Sequence, residues 1–138
     1  MKLDLTSFEK ALTSLDKALL RSTAAPTDEE LRDACIQRFE FTFELSWKML
    51  KRRLERDLPN AVEVDAMSYR SLIRSGSEQG LIEVDAVPRW FVYRDKRNLT
   101  SHAYDAAKAA VVYQSLGGFA RDARLLLQSL QARGAADA

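Results

Sequence analysis

The run Gln37-Arg38-Phe39-Glu40-Phe41-Thr42-Phe43-Glu44-Leu45-Ser46-Trp47-Lys48 decides the fold. Phe39, Phe43 and Trp47, continued by Leu50 and Leu54, recur every three or four residues, the spacing that lines one face of an α-helix. Neither Gly nor Pro interrupts the pattern from Leu31 to about Leu58, and Pro59-Asn60 ends it. Upstream, Thr27-Asp28-Glu29-Glu30 reads as a capping box, with Thr27 as N-cap and Glu30 three residues on. One long helix is therefore expected. Its aromatic stripe suits a core or a dimer interface, and Phe41, lying off the stripe, is left for a partner. Glu40, Glu44 and Lys48 follow at intervals of four, which makes a salt-bridged face, or turns Glu44 inward toward a functional cation.

Working outward, Phe8, Ala11, Leu12, Leu15, Ala18 and Leu19 mark a first amphipathic helix that ends before Ser22 to Pro26. Two segments beyond the long helix begin alike, Val62-Glu63-Val64-Asp65-Ala66 and Ile82-Glu83-Val84-Asp85-Ala86. In each the Asp suits an N-cap, predicting a third helix to about Ser75, ended by Gly76 to Gly80, and a fourth from Pro88 to about Asn98. The other reading of the two Asp residues is a functional carboxylate pair. Asp105 then caps a last helix carrying Ala109, Val112, Leu116, Phe119, Ala123, Leu126 and Leu130 inward, with Gly117-Gly118 as a point of bending. No alternating strand pattern persists and the connections are short. The expected fold is all-α, an antiparallel four-helix bundle with one additional short helix. It forms a single domain over 1–133, with 134–138 as a frayed tail.

Composition narrows the function. Twenty-one Lys plus Arg against twenty Asp plus Glu leave a formal charge of +1, so any nucleic-acid contact must be local. Lys48, Lys51, Arg52, Arg53 and Arg56, with Arg94, Lys96 and Arg97, form the best local cluster for an RNA backbone, or a solvated helix face. The chain holds one Cys and one His, too few for the usual metal-ligand clusters, so no metal and no cofactor is expected. Cys35 reads as a small buried hydrophobe. No apolar run is long enough to span a bilayer and no leader pattern opens the chain, which predicts a cytoplasmic protein without membrane contact.

Polar chemistry concentrates in Arg97-Asn98-Leu99-Thr100-Ser101-His102-Ala103-Tyr104-Asp105. An imidazole can gain or lose a proton near neutrality, a guanidinium is a permanent cation, and a phenol stands two residues beyond. On an unbroken helix Arg97 and His102 point about 140° apart, so they converge only if the helix ends between them. Thr100, Ser101 and the Asp105 cap make that break. The bland reading makes Arg97 a helix-terminal cation, Asn98 a helix terminator, His102 a loop residue and Tyr104 an amphipathic helix-start residue.

Arg97-Asn98, then His102, then Tyr104 resembles the R-x4-H-x-Y signature of HEPN-domain proteins. More narrowly, the chain is similar to the HEPN partners of minimal nucleotidyltransferases, also called nucleotidyltransferase substrate-binding proteins. The Gln37–Lys48 run, and Gly80-Leu81-Ile82 followed by Trp90, carry the resemblance over most of residues 5 to 130. It implies a dimerising all-α bundle and, in active members, a metal-independent endoribonuclease that is the toxin of a type II or VII-like toxin-antitoxin pair. It further implies Arg97 and His102 as catalytic residues, Asn98 as their polar companion, and Tyr104 as the site where a cognate nucleotidyltransferase antitoxin attaches AMP. Glu44 would support Arg97, and the RNA would be tRNA or another RNA.

The chemistry agrees with that assignment. Metal-free RNA cleavage needs a base for the 2′-hydroxyl, an acid for the leaving 5′-oxygen and a cation on the phosphorane. A single His102 per chain then calls for a homodimer whose interface supplies two imidazoles. A second reading is a non-catalytic subunit that presents substrate to a nucleotidyltransferase. The chain has no Gly-Ser loop with an Asp-x-Asp pair and no P-loop, so it cannot transfer nucleotides alone. A third reading is a structural helical dimerisation module.

Overall fold

A computed structural model describes residues 2–137; Met1 and Ala138, the outer ends of the expected domain and tail, lie outside the described residues. The described residues form α1 (Thr6–Ala24), α2 (Glu29–Asp57), α3 (Ala61–Asp65), α4 (Tyr69–Glu78), α5 (Val87–Leu99), α6 (Ala106–Gln114) and α7 (Leu116–Ala136). Single 3-10 turns at Val84–Ala86 and Thr100–His102 precede and follow α5. No strand occurs among the described residues.

The directions of the long helices follow from their contacts. Arg38 Nη1 donates to the Ser14 carbonyl at 3.1 Å across the short α1–α2 turn, so these helices are antiparallel. Arg89 meets Asp122, and Tyr93 Oη lies 3.4 Å from where a Cβ on Gly118 would stand, so α5 and α7 are antiparallel too. Phe43 meets Phe119 and Asp57 meets Arg133, so α2 and α7 run the same way. The four long helices α1, α2, α5 and α7 thus alternate up, down, up and down, with α7 packed directly on both α1 and α2.

Local chemistry explains the helix ends. Asp28, rather than Thr27, caps α2 by accepting from the Leu31 amide at 3.1 Å. Asn60 caps α3 and Ser68 caps α4. The expected caps at Asp65 and Asp85 are therefore corrected: Asp65 is the last residue of α3 and pairs with Lys51 at 2.8 Å. Asp85 sits inside a 3-10 turn, where its carbonyl accepts from Arg89 at 3.2 Å. Asn60 and Ser68 outcompete Asp65 because each stands before its helix with extended backbone, which is the cap geometry. Gly76 does not end α4. It lies inside the helix, where a Cβ would come within 3.1 Å of both Leu50 methyls. Gly80, at φ +76°, makes the stop. The last helix divides at Ser115, whose hydroxyl donates to the Val112 carbonyl at 2.7 Å, two residues before the Gly pair expected to bend it. The tail is also corrected: Gly134–Ala136 continue α7, and Asp137 binds Arg53 through both carboxylate oxygens.

The stripes read from the sequence meet in the core. Phe39 and Phe43 from α2, Trp90 and Tyr93 from α5 and Phe119 from α7 form one ring cluster, with Phe119 4.9 Å from Phe39 and 5.9 Å from Trp90 between ring centroids. Polar groups in this core are satisfied. Thr42 and Ser46 donate back to the Arg38 and Phe43 carbonyls, each at 2.6 Å, and Cys35 is fully buried.

Asp122 carries a charge inside, at 5% exposure. Burial opposes its ionisation, but hydrogen bonds from Arg89 and Tyr93 outweigh that and hold its carboxyl below the usual carboxylate range. A carboxylate whose folded value is depressed stabilises the fold above the unfolded value near ~3.9 and loses that contribution as pH falls through the folded value. Asp122→Asn is thus expected to cost about 1–3 kcal/mol at pH 7, toward the low end because Arg89 is half exposed. The gap from wild type should shrink as the pH falls below the unfolded value near ~3.9 and close once it passes the lower folded value. Urea denaturation at pH 7 and pH 3 checks both; a gap that stays constant with pH would refute the charged role.

Candidate active site

Everything singled out between 97 and 105 lies at the break between α5 and α6. Helix α5 ends at Leu99 because Thr100 turns its hydroxyl back onto the Arg97 carbonyl at 2.7 Å, and a 3-10 turn follows. The turn satisfies its own backbone: Ala103 N–H donates to Thr100 O and Asp105 N–H to His102 O. Asp105 then caps α6, accepting from the Ala107 and Lys108 amides at 2.9 and 3.3 Å. The break expected between Arg97 and His102 is therefore present.

Its two sides do different things. Arg97 faces α2, with Nε 3.4 Å from Glu44 Oε1 and Nη1 4.0 Å from Glu40 Oε2. Nη1 also donates to Thr100 Oγ1 at 3.1 Å. The Nε is buried and its N–H makes no hydrogen bond among the described residues, so Glu44 holds it by charge rather than by a directed bond. His102 and Tyr104 face out together: both are exposed, Tyr104 at 85%, and His102 Nδ1 lies 3.4 Å from Tyr104 Oη. The partners of Arg97 and of His102 within the chain do not overlap. Asn98 is exposed beside Arg97 on the last turn of α5.

Beside Arg97 opens a cavity of about 330 Å³ between α2, α4 and α5. Phe43, Trp47, Met67, Tyr69 and Leu72 give it apolar walls, while Glu44, Lys51, Arg94, Arg97 and Asn98 edge it with polar groups. Tyr69 is locked by its hydroxyl, which donates to the Trp90 carbonyl at 2.8 Å. Burial pushes its phenol well above the ordinary tyrosine range, so it is neutral. The Arg94 guanidinium lies 5.0 Å from the Tyr69 ring centroid.

Several of these residues escape sequence reading. Thr100, which anchors Arg97, looks like any helix-end residue. Glu40 had a signal: with Glu44 it makes a like-charge pair at i, i+4, which is unfavourable unless a cation faces both. Met67, Tyr69 and Leu72 give none, since only the fold brings α4 beside Arg97. The basic cluster needs a correction. Arg53 is 3% exposed and bound by Asp57 and Asp137, so it belongs to the α2–α7 contact, and Lys51 is taken by Asp65. Lys48, Arg52 and Arg94 are exposed. No group of three or more His, Cys, Asp or Glu that could hold a metal ion occurs among the described residues. No helix there is long and apolar enough to cross a membrane.

A helical bundle that carries Arg97-Asn98, His102 and Tyr104 around the end of its third long helix is of the HEPN type. The family described as nucleotidyltransferase substrate binding protein like matches residues 3–132, and the chain belongs to that family. It is 33% identical to a Haemophilus influenzae protein named probable ribonuclease HepT, covering 99% of this chain and 97% of that one. A solved Haemophilus influenzae structure, described as revealing the fold of a substrate binding domain of a nucleotidyltransferase, is similar with a TM-score of 0.86 at 32% identity. It covers 93% of this chain and 99% of that one. A crystal structure from Thermus thermophilus is similar with a TM-score of 0.76, also at 32% identity, over 89% of this chain and 98% of the other.

Proposed function

We propose that this chain is a metal-independent endoribonuclease, the cytoplasmic toxin of a toxin-antitoxin pair, silenced when a cognate minimal nucleotidyltransferase attaches AMP to Tyr104. The observation that carries the reading is the exposed His102–Tyr104 pair set one turn beyond Arg97 and Asn98. A titratable imidazole and a reachable phenol stand together where a phosphate held by Arg97 would have to come.

The reaction proceeds without an external nucleophile. A neutral His102 takes the proton of the 2′-hydroxyl, whose oxygen attacks the adjacent phosphorus. The P–O5′ bond breaks as a protonated His102 gives its proton to O5′, leaving a 2′,3′-cyclic phosphate and a 5′-hydroxyl. Arg97 offsets the negative charge of the phosphorane with a planar fork of donors. Glu44 and Thr100 are positioning residues for that fork. Because each chain carries one His and the reaction needs both an acid and a base, the two imidazoles and the Arg97 cation assemble in a homodimer that places two such turns face to face. tRNA is the expected substrate.

Tyr104 is the expected brake. Attack of its hydroxyl on the α-phosphorus of ATP, catalysed by the partner, releases pyrophosphate and leaves a bulky anion 3.4 Å from the working imidazole. Tyr104→Phe is therefore expected to cleave RNA within a few fold of wild type and to take up no label when incubated with the transferase and labelled ATP. Undiminished labelling would move the acceptor elsewhere. The basic test is cleavage of a total tRNA pool, in chelator, by unmodified wild type beside His102→Ala.

The cavity at Trp47, Tyr69 and Arg94 favours one alternative, a non-catalytic subunit that presents a nucleotide to the transferase. Absence of cleavage by AMP-free dimeric protein would select it.

A further inference from the structure

We propose that the cavity between α2, α4 and α5 holds one unpaired nucleobase of the RNA, next to the phosphate cut, with Trp47 as its stacking surface. The inference deepens the ribonuclease reading and rests on it for its substrate.

Four observations support it. First, Trp47 is the odd member of its stripe. Phe39 and Phe43 close ring against ring with one another and with Phe119, and Phe43 also with Tyr69. Trp47 has no ring partner among the described residues; the mobile ammonium of exposed Lys48 lies 5.8 Å from its ring centroid, and its half-buried indole forms a cavity wall. A large aromatic on a core stripe without an aromatic neighbour leaves a π-face available to a ligand.

Second, the cavity is the right kind of space. Its volume of about 330 Å³ is at the small end of ligand pockets, room for a single flat ring system rather than for a duplex. Met67 and Leu72 give it an apolar floor, which suits the faces of a base and repels a bare phosphate.

Third, its rim matches the rest of a nucleotide. The Arg94 guanidinium stands over the Tyr69 ring, 5.0 Å from its centroid, and makes no ion pair among the described residues, so its N–H groups are open to a base or a phosphate. Glu44 and Asn98 offer acceptors and an amide at the edge, groups that read the hydrogen-bonding edge of a base.

Fourth, the cavity and the cut are contiguous. Arg97 both lines the cavity and belongs to the catalytic motif, so a strand whose phosphate sits on Arg97 brings a neighbouring base to Trp47. A base can enter only if it is unstacked and unpaired, which restricts cutting to loops and single-stranded ends.

The test is a cycle between protein and RNA. Dimeric wild type and Trp47→Leu cleave a short unstructured RNA with one cut site and the same RNA with an abasic nucleotide beside the cut. Trp47→Leu should lower the cleavage rate of the intact RNA by roughly 10- to 100-fold, the range of a lost base–aromatic stack. On the abasic RNA both proteins should cleave alike. Equal losses on both RNAs, or no loss on either, would overturn the subsite.

A binding arm does not depend on cleavage. Trp90 is buried in the core, so quenching of tryptophan emission by an uncleavable RNA with a 2′-deoxynucleotide at the cut reports Trp47. Saturable quenching that disappears with the abasic version and in Trp47→Leu supports the subsite, even if wild type proves unable to cleave, in which case the ribonuclease reading alone falls. Quenching indifferent to the base, or absent, rejects the subsite while leaving any cleavage intact. Unchanged far-ultraviolet circular dichroism and dimer size in Trp47→Leu confirm that the variant folds.

Discussion

His102→Ala is expected to lower cleavage of a tRNA pool by about 10²–10⁴-fold, the range for a positioned acid–base group. Its fold should not change, because the imidazole is exposed and its hydrogen-bond partner is the equally exposed Tyr104. Arg97→Ala should match that loss, while Arg97→Lys, which keeps a charge but not the fork, should recover part of it. The composite site adds a stronger expectation. If both imidazoles of a dimer are needed, hybrid dimers are inactive, and at equal total protein a fully exchanged one-to-one mixture with His102→Ala has about a quarter of wild-type activity rather than half. Half the activity would show that each protomer works alone, and wild-type rates in His102→Ala would end the ribonuclease reading.

The largest effect on stability is expected at Phe119. Its ring stands 4.9 Å from Phe39, 5.3 Å from Tyr93, 5.9 Å from Trp90 and 6.2 Å from Phe43, so one side chain joins α2, α5 and α7. Phe119→Ala removes that ring from the middle of the core and should cost about 3–5 kcal/mol in denaturant unfolding, with Phe119→Leu costing visibly less. A loss under about 1 kcal/mol would mean that the three helices collapse onto the cavity without penalty.

Much of this was legible in the sequence because periodicity reports burial directly. The Phe39–Phe43 stripe, the helix from Pro88 and the cap at Asp105 each appear within about a residue of their predicted places, while the first helix runs on to Ala24, past its expected end before Ser22. Boundaries failed where several good caps compete. Asn60, Asp65 and Ser68 lie within nine residues, and nothing local decides between them until α3 docks on α2 and Lys51 claims Asp65. The tail failed because Arg53, one of five basic residues in a short run, gave no sign that it would be buried against Asp137. At the site, the break between Arg97 and His102 could be argued from Thr100 and Asp105, and the approach of Glu44 to Arg97 from helical spacing. The cavity could not, since its walls come from α2, α4 and α5, and no local pattern records that α4 crosses there.

The place of α7 along the chain has a temporal consequence. Helices α1 and α2 are consecutive and can close as a hairpin as soon as both exist, but the ring that locks α5 in place sits on α7, made after both of them and after α5. At ~5–20 residues per second, a ribosome finishes that helix some seconds after Arg97 and His102 have been joined to the chain. During that interval the chemical groups exist without the geometry that makes them dangerous. On the ribonuclease reading proposed above, a chain built this way would be harmless to the ribosome and tRNAs engaged in its own synthesis, and a silencing partner would have until α7 docks to arrive.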